Sequence, residues 1–486
     1  MGIAPDTSVL ARVHRPRNQV EADEARRELK RDELFFMQLA LACRQHLREQ
    51  TPSNVRCIEP LSDIGQYFPF TLTAGQMQAV RDILADMGSG RAMNRLLQAD
   101  VGAGKTVVAA WAAIVAAMNG AQVAILCPTE ILARQHYETI RGYFERAGVS
   151  VALITGSTPC NDARCPTANI VVGTTALLDT KIGFYWSSLG LVIVDEQHKF
   201  GVEQRAALRK HGNPHVLVMT ATPIPRTMAM TVFGDLDVSV IRSMPPGRKP
   251  VKTTWCRQKA NIAHQTIRQE LIDGHQVYVV CPRIEALDDE MRAVEEVAEE
   301  YSTLFPDATV LTLHGKMRPS EKEQVAELWR SNLWRAILVS TTVVEVGVDN
   351  PNATVMVIEG AERFGLAQLH QLRGRVGRGK DQSYCFLLSD TDSAEARARL
   401  RAMERTNDGF EIAEQDLKLR GPGDLLSTRQ HGLPELKIAS LIDDYDLLCG
   451  ARKEARELVA RGPLPIDIQT ELCKRYGDKI YLGDAG

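Results

Sequence analysis

A chain of 486 residues, 44% hydrophobic and 24% charged, has the balance of an ordinary globular protein and, at roughly 150 residues per domain, room for about three domains. Its longest unbroken apolar run, Val107 to Met118, is 12 residues, short of the ~18 of a membrane span, and the opening Met1-Gly2-Ile3-Ala4-Pro5-Asp6 lacks the basic-then-apolar stretch of a signal peptide, so a cytoplasmic chain with no membrane partner is expected. A formal charge of -3, from 58 Lys+Arg against 61 Asp+Glu, does not exclude nucleic acid, because binding follows where positive charge clusters rather than its sum.

Taken in chain order, residues 21–50 read as one helix, charge-rich from Glu21 to Arg31 and then apolar on one face through Leu34, Phe35, Leu39 and Leu41. Pro52, Ser53, Asn54, Pro60, Gly65 and Pro69 make 51–69 a linker. Short Val/Ile/Leu runs then alternate with longer amphipathic segments: Gln122 to Cys127, Ser150 to Ile154, Ile170 to Val172, Leu191 to Val194 and Val216 to Met219. Such runs suit strands buried on both faces of a parallel sheet. Cys160 and Cys165 lie close together within this block, but no second pair matches them among the ten cysteines, so they read as loop thiols of a reduced protein rather than a zinc site. The Pro/Gly-rich Met244 to Pro250 reads as a domain boundary. A second block repeats the pattern at Val277 to Val280, Thr309 to Leu313, Ala336 to Val339, Val355 to Ile358 and Tyr384 to Leu388, while the acidic Asp288 to Glu300 reads as a solvated helix face. After about residue 405 the strands stop, and 461–486 reads as a loosely held tail. The fold class is therefore α/β: two parallel-sheet domains in series and a small, mostly helical carboxyl-terminal unit.

Chemistry is concentrated in a few segments. Ala99-Asp100-Val101-Gly102-Ala103-Gly104-Lys105-Thr106 lies between an apolar stretch and a helix-like run, the setting of a phosphate-binding loop. Gly102 and Gly104 let backbone N–H groups approach phosphate oxygens, Lys105 reaches the terminal phosphates, and Thr106 ligates Mg²⁺. Ala99 stands where the motif has its first glycine, which predicts a different approach into the loop without loss of binding. Val192 to Val194 runs into Asp195-Glu196-Gln197-His198, placing carboxylates at the carboxyl end of a buried strand: Asp195 to hold Mg²⁺, Glu196 to take a proton from the attacking water. Thr220-Ala221-Thr222 ends the next strand, where Thr220 and Thr222 can report the state of the γ-phosphate. In the second block, Gln371-Leu372-Arg373-Gly374-Arg375-Val376-Gly377-Arg378 lies in a segment, 361–380, of local charge +4. Arginines set between glycines suit fingers that neutralise charge on a transferring phosphoryl group, an effect of ~10³ to 10⁵ in rate.

These segments resemble the motifs of superfamily 2 helicases, and within them the RecG branch, from about Phe70 to Ser440. The resemblance implies two tandem RecA-like domains, ATP and Mg²⁺ as cofactors, and duplex or branched DNA as partner. Lys105, Asp195 to His198, Thr220 to Thr222 and Gln371 to Arg378 stand at motifs I, II, III and VI, so Gln371, Arg375 and Arg378 join Lys105 and Glu196 as catalytic residues. It further implies that Gln76 reads adenine, that Thr129 and Thr174 lie in loops touching the nucleic-acid backbone, and that Ser340 to Asp349 is motif V, with Thr341 toward DNA and Gly347 and Asp349 toward nucleotide. DEQHKFGV (195–202), ATPIPRT (221–227), Arg363 to His370 and RGPGDLLSTRQHG (420–432) carry the branch-specific likeness. The last resembles the translocation motif shared with the coupling translocase Mfd, in which Arg420 and Gln430 would turn domain closure into a push on DNA, alongside a coupling role for His198. Asp424 and Ser427 depart from its usual glutamate and glycine.

The expected organisation is a remnant of the wedge-linker helix and linker (1–66), an ATP-binding domain (67–245), a helicase carboxyl-terminal domain (246–405), a translocation domain (406–470) and a tail (471–486). His14-Arg15-Pro16 and the helix around Arg26 to Leu41 resemble only the end of the region that carries the OB-fold wedge with which RecG proteins split branched DNA, and fewer than 20 residues precede them, too few for an OB barrel. The expected function is an ATP-dependent helicase or double-stranded DNA translocase that remodels stalled forks and Holliday junctions in repair and recombination. Two other readings stand beside it: an ATP-switched DNA-binding module without productive unwinding, and a fragment whose coding sequence extends upstream of Met1. A monomer is compatible with the sequence, which names no accessory protein.

Overall fold

The computed structural model describes residues 7–50, 52–53, 55–57, 64–156, 167–174, 177, 186–195, 213–220, 236–245, 247–257, 261–282, 287–331, 334–341, 350–420, 436–441 and 443–477. The first half contributes strands β1 (Asn94–Ala99), β2 (Gln122–Leu126), β3 (Val151–Ile154), β4 (Ile170–Gly173), β5 (Leu189–Asp195), β6 (His215–Thr220) and β7 (Asp237–Ile241), which form one parallel sheet in the order β3-β4-β2-β5-β6-β1-β7. The second half contributes β8 (Lys252–Cys256), β9 (Gln276–Val280), β10 (Thr309–Leu313), β11 (Ala336–Ser340), β12 (Ala353–Ile358) and β13 (Tyr384–Leu388), a parallel sheet in the order β10-β11-β9-β12-β13-β8. Every expected apolar run is a strand within a residue or two at each end.

Three strands fall outside those runs, and each has a physical reason. β7 and β8 are edge strands, solvated along part of their length, so their sequences DVSVI and KTTWC carry polar residues instead of running apolar. β1 is internal but carries Arg95, whose guanidinium pairs with Asp86 at 2.8 Å and donates to Ser239 Oγ on β7 at 2.9 Å. A charge partnered in this way can sit in a sheet that the sequence alone would not credit with one.

Helices α1 (Thr7–His14), α2 (Gln19–Glu49), α3 (Ala74–Gly88), α4 (Lys105–Met118) and α5 (Glu130–Arg146) lie in the first half. They are followed by α6 (Asn261–Ile272), α7 (Leu287–Leu304), α8 (Pro319–Arg330), α9 (Leu366–Arg373), α10 (Ala394–Arg405), α11 (Gly409–Arg420), α12 (Tyr445–Ala460) and α13 (Ile466–Tyr476). α4 is apolar all round (KTVVAAWAAIVAAM) because it is buried from Val108 to Ala117, the core helix of the first domain. Among the described residues, no helix is long and apolar enough to cross a membrane. On α7, Val294, Ala298 and Tyr301 are buried while Glu295, Glu296, Glu299 and Glu300 are exposed, the solvated acidic face expected.

The two ends of the chain meet. Phe36, Leu39 and Ala40 of α2 form one core with Ala455 and Val459 of α12 and Ile468, Leu472 and Tyr476 of α13. Lys30 pairs with Asp444, Arg31 with Glu454 and Asp32 with Arg475, and Glu33 accepts the backbone N–H groups of Lys437, Ile438 and Ala439. Within the segment read as a loose tail from 461, Ile466–Tyr476 is therefore a packed helix, whose buried Ile468, Leu472 and Tyr476 did not signal this without their partner. α10 and α11 pack instead on the second sheet's core through Leu400, Met403 and Ile412.

Candidate nucleotide site between the two sheets

β5, β6 and β1 are neighbours, so their carboxyl ends bring Asp195, Thr220 and the loop after Ala99 to one edge of the sheet. Register places Asp195 opposite Met219 and Thr220 opposite Gln98, one strand spacing of ~4.8 Å at each step. Gly102 (φ 75°) and Gly104 (φ 85°) both adopt the left-handed conformation, and Gly104 caps the amino terminus of α4. Ala99 is instead the fully buried last residue of β1, paired with Ile241, where a side chain is tolerated. That accounts for the missing first glycine. Lys105 Nζ donates to the carbonyls of Ala99 (2.9 Å) and Asp100 (3.1 Å), and Thr106 follows in the first turn of α4.

Gln76 is joined to this loop. Thr73 caps α3 in a capping box, donating its N–H to Gln76 Oε1 at 2.9 Å, while Gln76 Nε2 donates to Ala103 O at 2.8 Å. A Cβ on Gly104 would lie 2.3 Å from Gln76 Nε2, so the Gln76 amide would have to leave this position, and the φ of 85° itself favours glycine. Asp195 is buried and accepts a hydrogen bond from His136 Nε2 at 2.8 Å; His136 lies on α5, the helix capped by Thr129 Oγ1. The buried Cys127 thiol beside it is pushed up by burial and by the Asp195 charge.

The second domain meets the loop directly. Gly374, at the end of α9, packs against Val101: a Cβ there would lie 2.4 Å from Val101 Cγ1. His370 Nε2 is 2.5 Å from Asp100 Oδ1, and Asp100 Oδ2 accepts the N–H of Gly409 at 3.0 Å. Burial works to raise the Asp100 pKa, but the hydrogen bond from His370 and the N–H groups of Gly409 and Val101 outweigh it and hold the carboxyl below its ordinary value. Arg373 is buried and donates to the carbonyls of Met403 and Thr406, both at 2.9 Å, so of the three arginines it is a strut rather than a finger. Arg375 and Arg378 are half-buried beyond it, Arg378 Nε donating to Gly374 O at 3.2 Å, and Gln371 is half-buried on α9.

The structure thus brings Gln76, Gly102, Gly104, Lys105, Thr106, Asp195 and Thr220 to one sheet edge, with the segment 371–378 against it. Thr174 follows β4, and Thr341 follows β11, where the Ser340 and Thr341 hydroxyls are buried and have no hydrogen-bond partner among the described residues. Glu196, His198, Thr222, Gly347, Asp349 and Gln430 lie outside the described residues, as do Cys160, Cys165 and the side chain of Arg420. Sequence reasoning did not single out Asp100, His136 or His370. The signal for His370 was its place beside Gln371; His136 carried none, since its partner Asp195 is 59 positions away.

The family model described as DEAD/DEAH box helicase matches residues 73–231, the helicase conserved C-terminal domain matches 258–380, and "ATP-dependent DNA helicase RecG, domain 3, C-terminal" matches 406–474. The ATP-dependent DNA helicase RecG of Synechocystis is 45% identical over 98% of this chain, and that of Bacillus subtilis 47% identical over 93%. The chain spans 59% of the first relative's length and 68% of the second's. A solved structure of RecG bound to a three-way DNA junction is 39% identical, with a TM-score of 0.72, over 90% of this chain and 59% of that one.

Proposed function

Because this chain belongs to the RecG family of ATP-dependent DNA helicases, we propose that it is an ATP-driven motor on duplex DNA that remodels branched DNA, of the kind formed at stalled forks and Holliday junctions, in repair and recombination. The observation that supports this best is the meeting of the Asp100–Lys105 loop with His370 and Gly374 of the second domain, which makes one nucleotide site out of two domains. The relative solved on a three-way junction supports branched DNA as the substrate class.

ATP and Mg²⁺ fit the residues present: Gly102 and Gly104, lacking a Cβ, let the donor groups of Arg248 and Gln76 lie directly on the loop, and a hydroxyl and a buried carboxylate, Thr106 and Asp195, are hard-oxygen ligands of the kind Mg²⁺ takes. Mg²⁺, when bound, neutralises phosphate charge. Lys105 holds the terminal phosphates, Gln76 uses the remaining hydrogen-bonding capacity of its amide for adenine, and Gly347 and Asp349 complete the nucleotide contacts. Glu196 accepts the proton of the attacking water, and Arg375 and Arg378, aligned by Gln371, offset charge that develops on the phosphoryl oxygens. Thr129, Thr174, Thr341 and His198 touch or sense the DNA backbone, Thr220 and Thr222 pass on the γ-phosphate state, and Arg420 and Gln430 convert closure into movement. Affinity for DNA should rest on shape and phosphate contacts and weaken steeply with salt. The units proposed are 1–66, 67–245, 246–405, 406–470 and 471–486.

The test is ATP turnover with single strands, linear duplex and forks, beside third-strand displacement. Wild type should turn over fastest on branched DNA; Lys105→Ala should abolish turnover, Glu196→Gln should bind ATP without hydrolysis, and Arg420→Ala should keep DNA-stimulated turnover but lose displacement. Wild type that hydrolyses ATP yet displaces nothing would replace the motor with an ATP-switched clamp.

A further inference from the structure

The segment between the sheets, read from sequence as a mere boundary, is held against the nucleotide site at several points. Arg242 lies over the Phe410 ring at 4.9 Å, and Ser243 Oγ is 2.8 Å from Thr73 Oγ1, the residue that positions Gln76. Gln382 Nε2 donates to Pro250 O at 2.8 Å, and a Cβ on Gly377 would lie 2.9 Å from Val251 Cγ2. Between these tethers Arg248 reaches the phosphate loop: a Cβ on Gly102 would lie 1.9 Å from its Nη1, 2.7 Å from its Cζ and 2.8 Å from its Nη2. The guanidinium therefore rests on the bare face of the glycine that shapes the anion cradle.

An arginine has only donors to offer, and so do the backbone N–H groups of the loop and the Lys105 ammonium. Such donors share one kind of complement, an anion with several acceptor oxygens, and a planar guanidinium fits phosphate with two parallel hydrogen bonds. We propose that Arg248 is a phosphate-binding residue of the nucleotide site, delivered by the interdomain segment to the β- and γ-phosphates of ATP. This rests on the ATP-site reading above. It also gives that segment a role: because it is tied to Thr73 on one side and to Gly377 on the other, nucleotide phosphates held by Arg248 pull on both domains at once.

The test is titration of the full chain with ATP, ADP and AMP in the presence of Mg²⁺, for wild type, Arg248→Ala, Arg248→Lys and Lys105→Ala. Loss of one charge-assisted pair should weaken ATP and ADP about tenfold in Arg248→Ala. AMP, lacking the outer phosphates, should bind as to wild type, which a merely structural lesion would not spare. Arg248→Lys, which keeps charge and reach but not the planar fork, should fall between and carries the test if Arg248→Ala does not fold. Unchanged ATP and ADP affinity in the Arg248 variants, with Lys105→Ala impaired, overturns the role of Arg248 alone. Equal ATP affinity of wild type and Lys105→Ala overturns the ATP-site reading and this proposal with it.

Discussion

Asp100 and His370, 270 residues apart in the chain, form a buried hydrogen bond of 2.5 Å that joins the phosphate loop of one domain to helix α9 of the other. The direction of the bond follows from a third residue. Arg373 Nη2 lies 3.1 Å from His370 Nδ1, and an arginine only donates, so Nδ1 accepts and the ring proton sits on Nε2, facing Asp100. Arg373 in turn holds the carbonyls of Met403 and Thr406, and Asp100 accepts the N–H of Gly409, so the phosphate loop, α9 and the start of α11 are linked by one chain of hydrogen bonds.

Breaking that chain should act on turnover rather than on nucleotide affinity. His370→Ala leaves a buried carboxylate without its main partner, a loss of about 3 kcal/mol, and is expected to lower DNA-stimulated ATP hydrolysis at least tenfold. Asp100→Asn should do the same, and the double variant should be little worse than either, the signature of residues acting as a unit. His370→Gln, able to donate to Asp100 and accept from Arg373, should recover part of the rate. Steady-state kinetics on the four proteins decides; additive losses would separate the two residues.

The contact of Gly374 with Val101 offers a steric counterpart. Gly374→Ala puts a methyl 2.4 Å from Val101 Cγ1 and 2.6 Å from its Cβ, so the domains must shift apart, whereas Val101→Gly, which removes both atoms, should remove the clash. Hydrolysis is expected to fall in Gly374→Ala and to return in the double variant, with both melting temperatures near wild type. Failure of Val101→Gly to rescue would mean that the glycine serves something other than this interface.

His215 predicts a pH dependence. It is fully buried, Nδ1 accepting the N–H of Met93 at 3.1 Å and Nε2 donating to Val55 O at 2.9 Å, and burial pulls its pKa below the ordinary 6.5. Below pH 6.5 the unfolded chain takes up a proton that the folded one refuses, so this residue's contribution to stability is full at neutral pH and declines as pH falls from 6.5 toward the lower folded value. The slope is bounded by about 1.4 kcal/mol per pH unit for one proton. Melting curves from pH 5 to 8 should show a smaller acid slope for His215→Gln than for wild type; equal slopes would assign the acid sensitivity elsewhere.

The α2 core tests whether the chain ends form one unit. Leu39 is fully buried among α12 and α13, and Leu39→Ala should remove about 2–5 kcal/mol from that packing. Hydrogen exchange is expected to speed up across 445–476 while β1 to β6 keep their protection. Uniform loss of protection would instead tie this unit to the first sheet.

Much of the fold was legible because buried parallel strands write themselves as Val/Ile/Leu runs, and much of the site because a phosphate loop needs Gly102, Gly104 and Lys105 at a set spacing and a strand end needs Asp195. Those features are local, dictated by backbone geometry and burial within a few residues, so the sequence by itself determined the two α/β domains, the loop and the family. Asp100 with His370, Asp195 with His136, Gly102 with Arg248 and α2 with α13 were decided only by the tertiary structure. Each depends on a side chain brought across tens or hundreds of residues by the order of strands in a sheet or the docking of one domain on another, and no periodicity or spacing along the chain encodes that meeting.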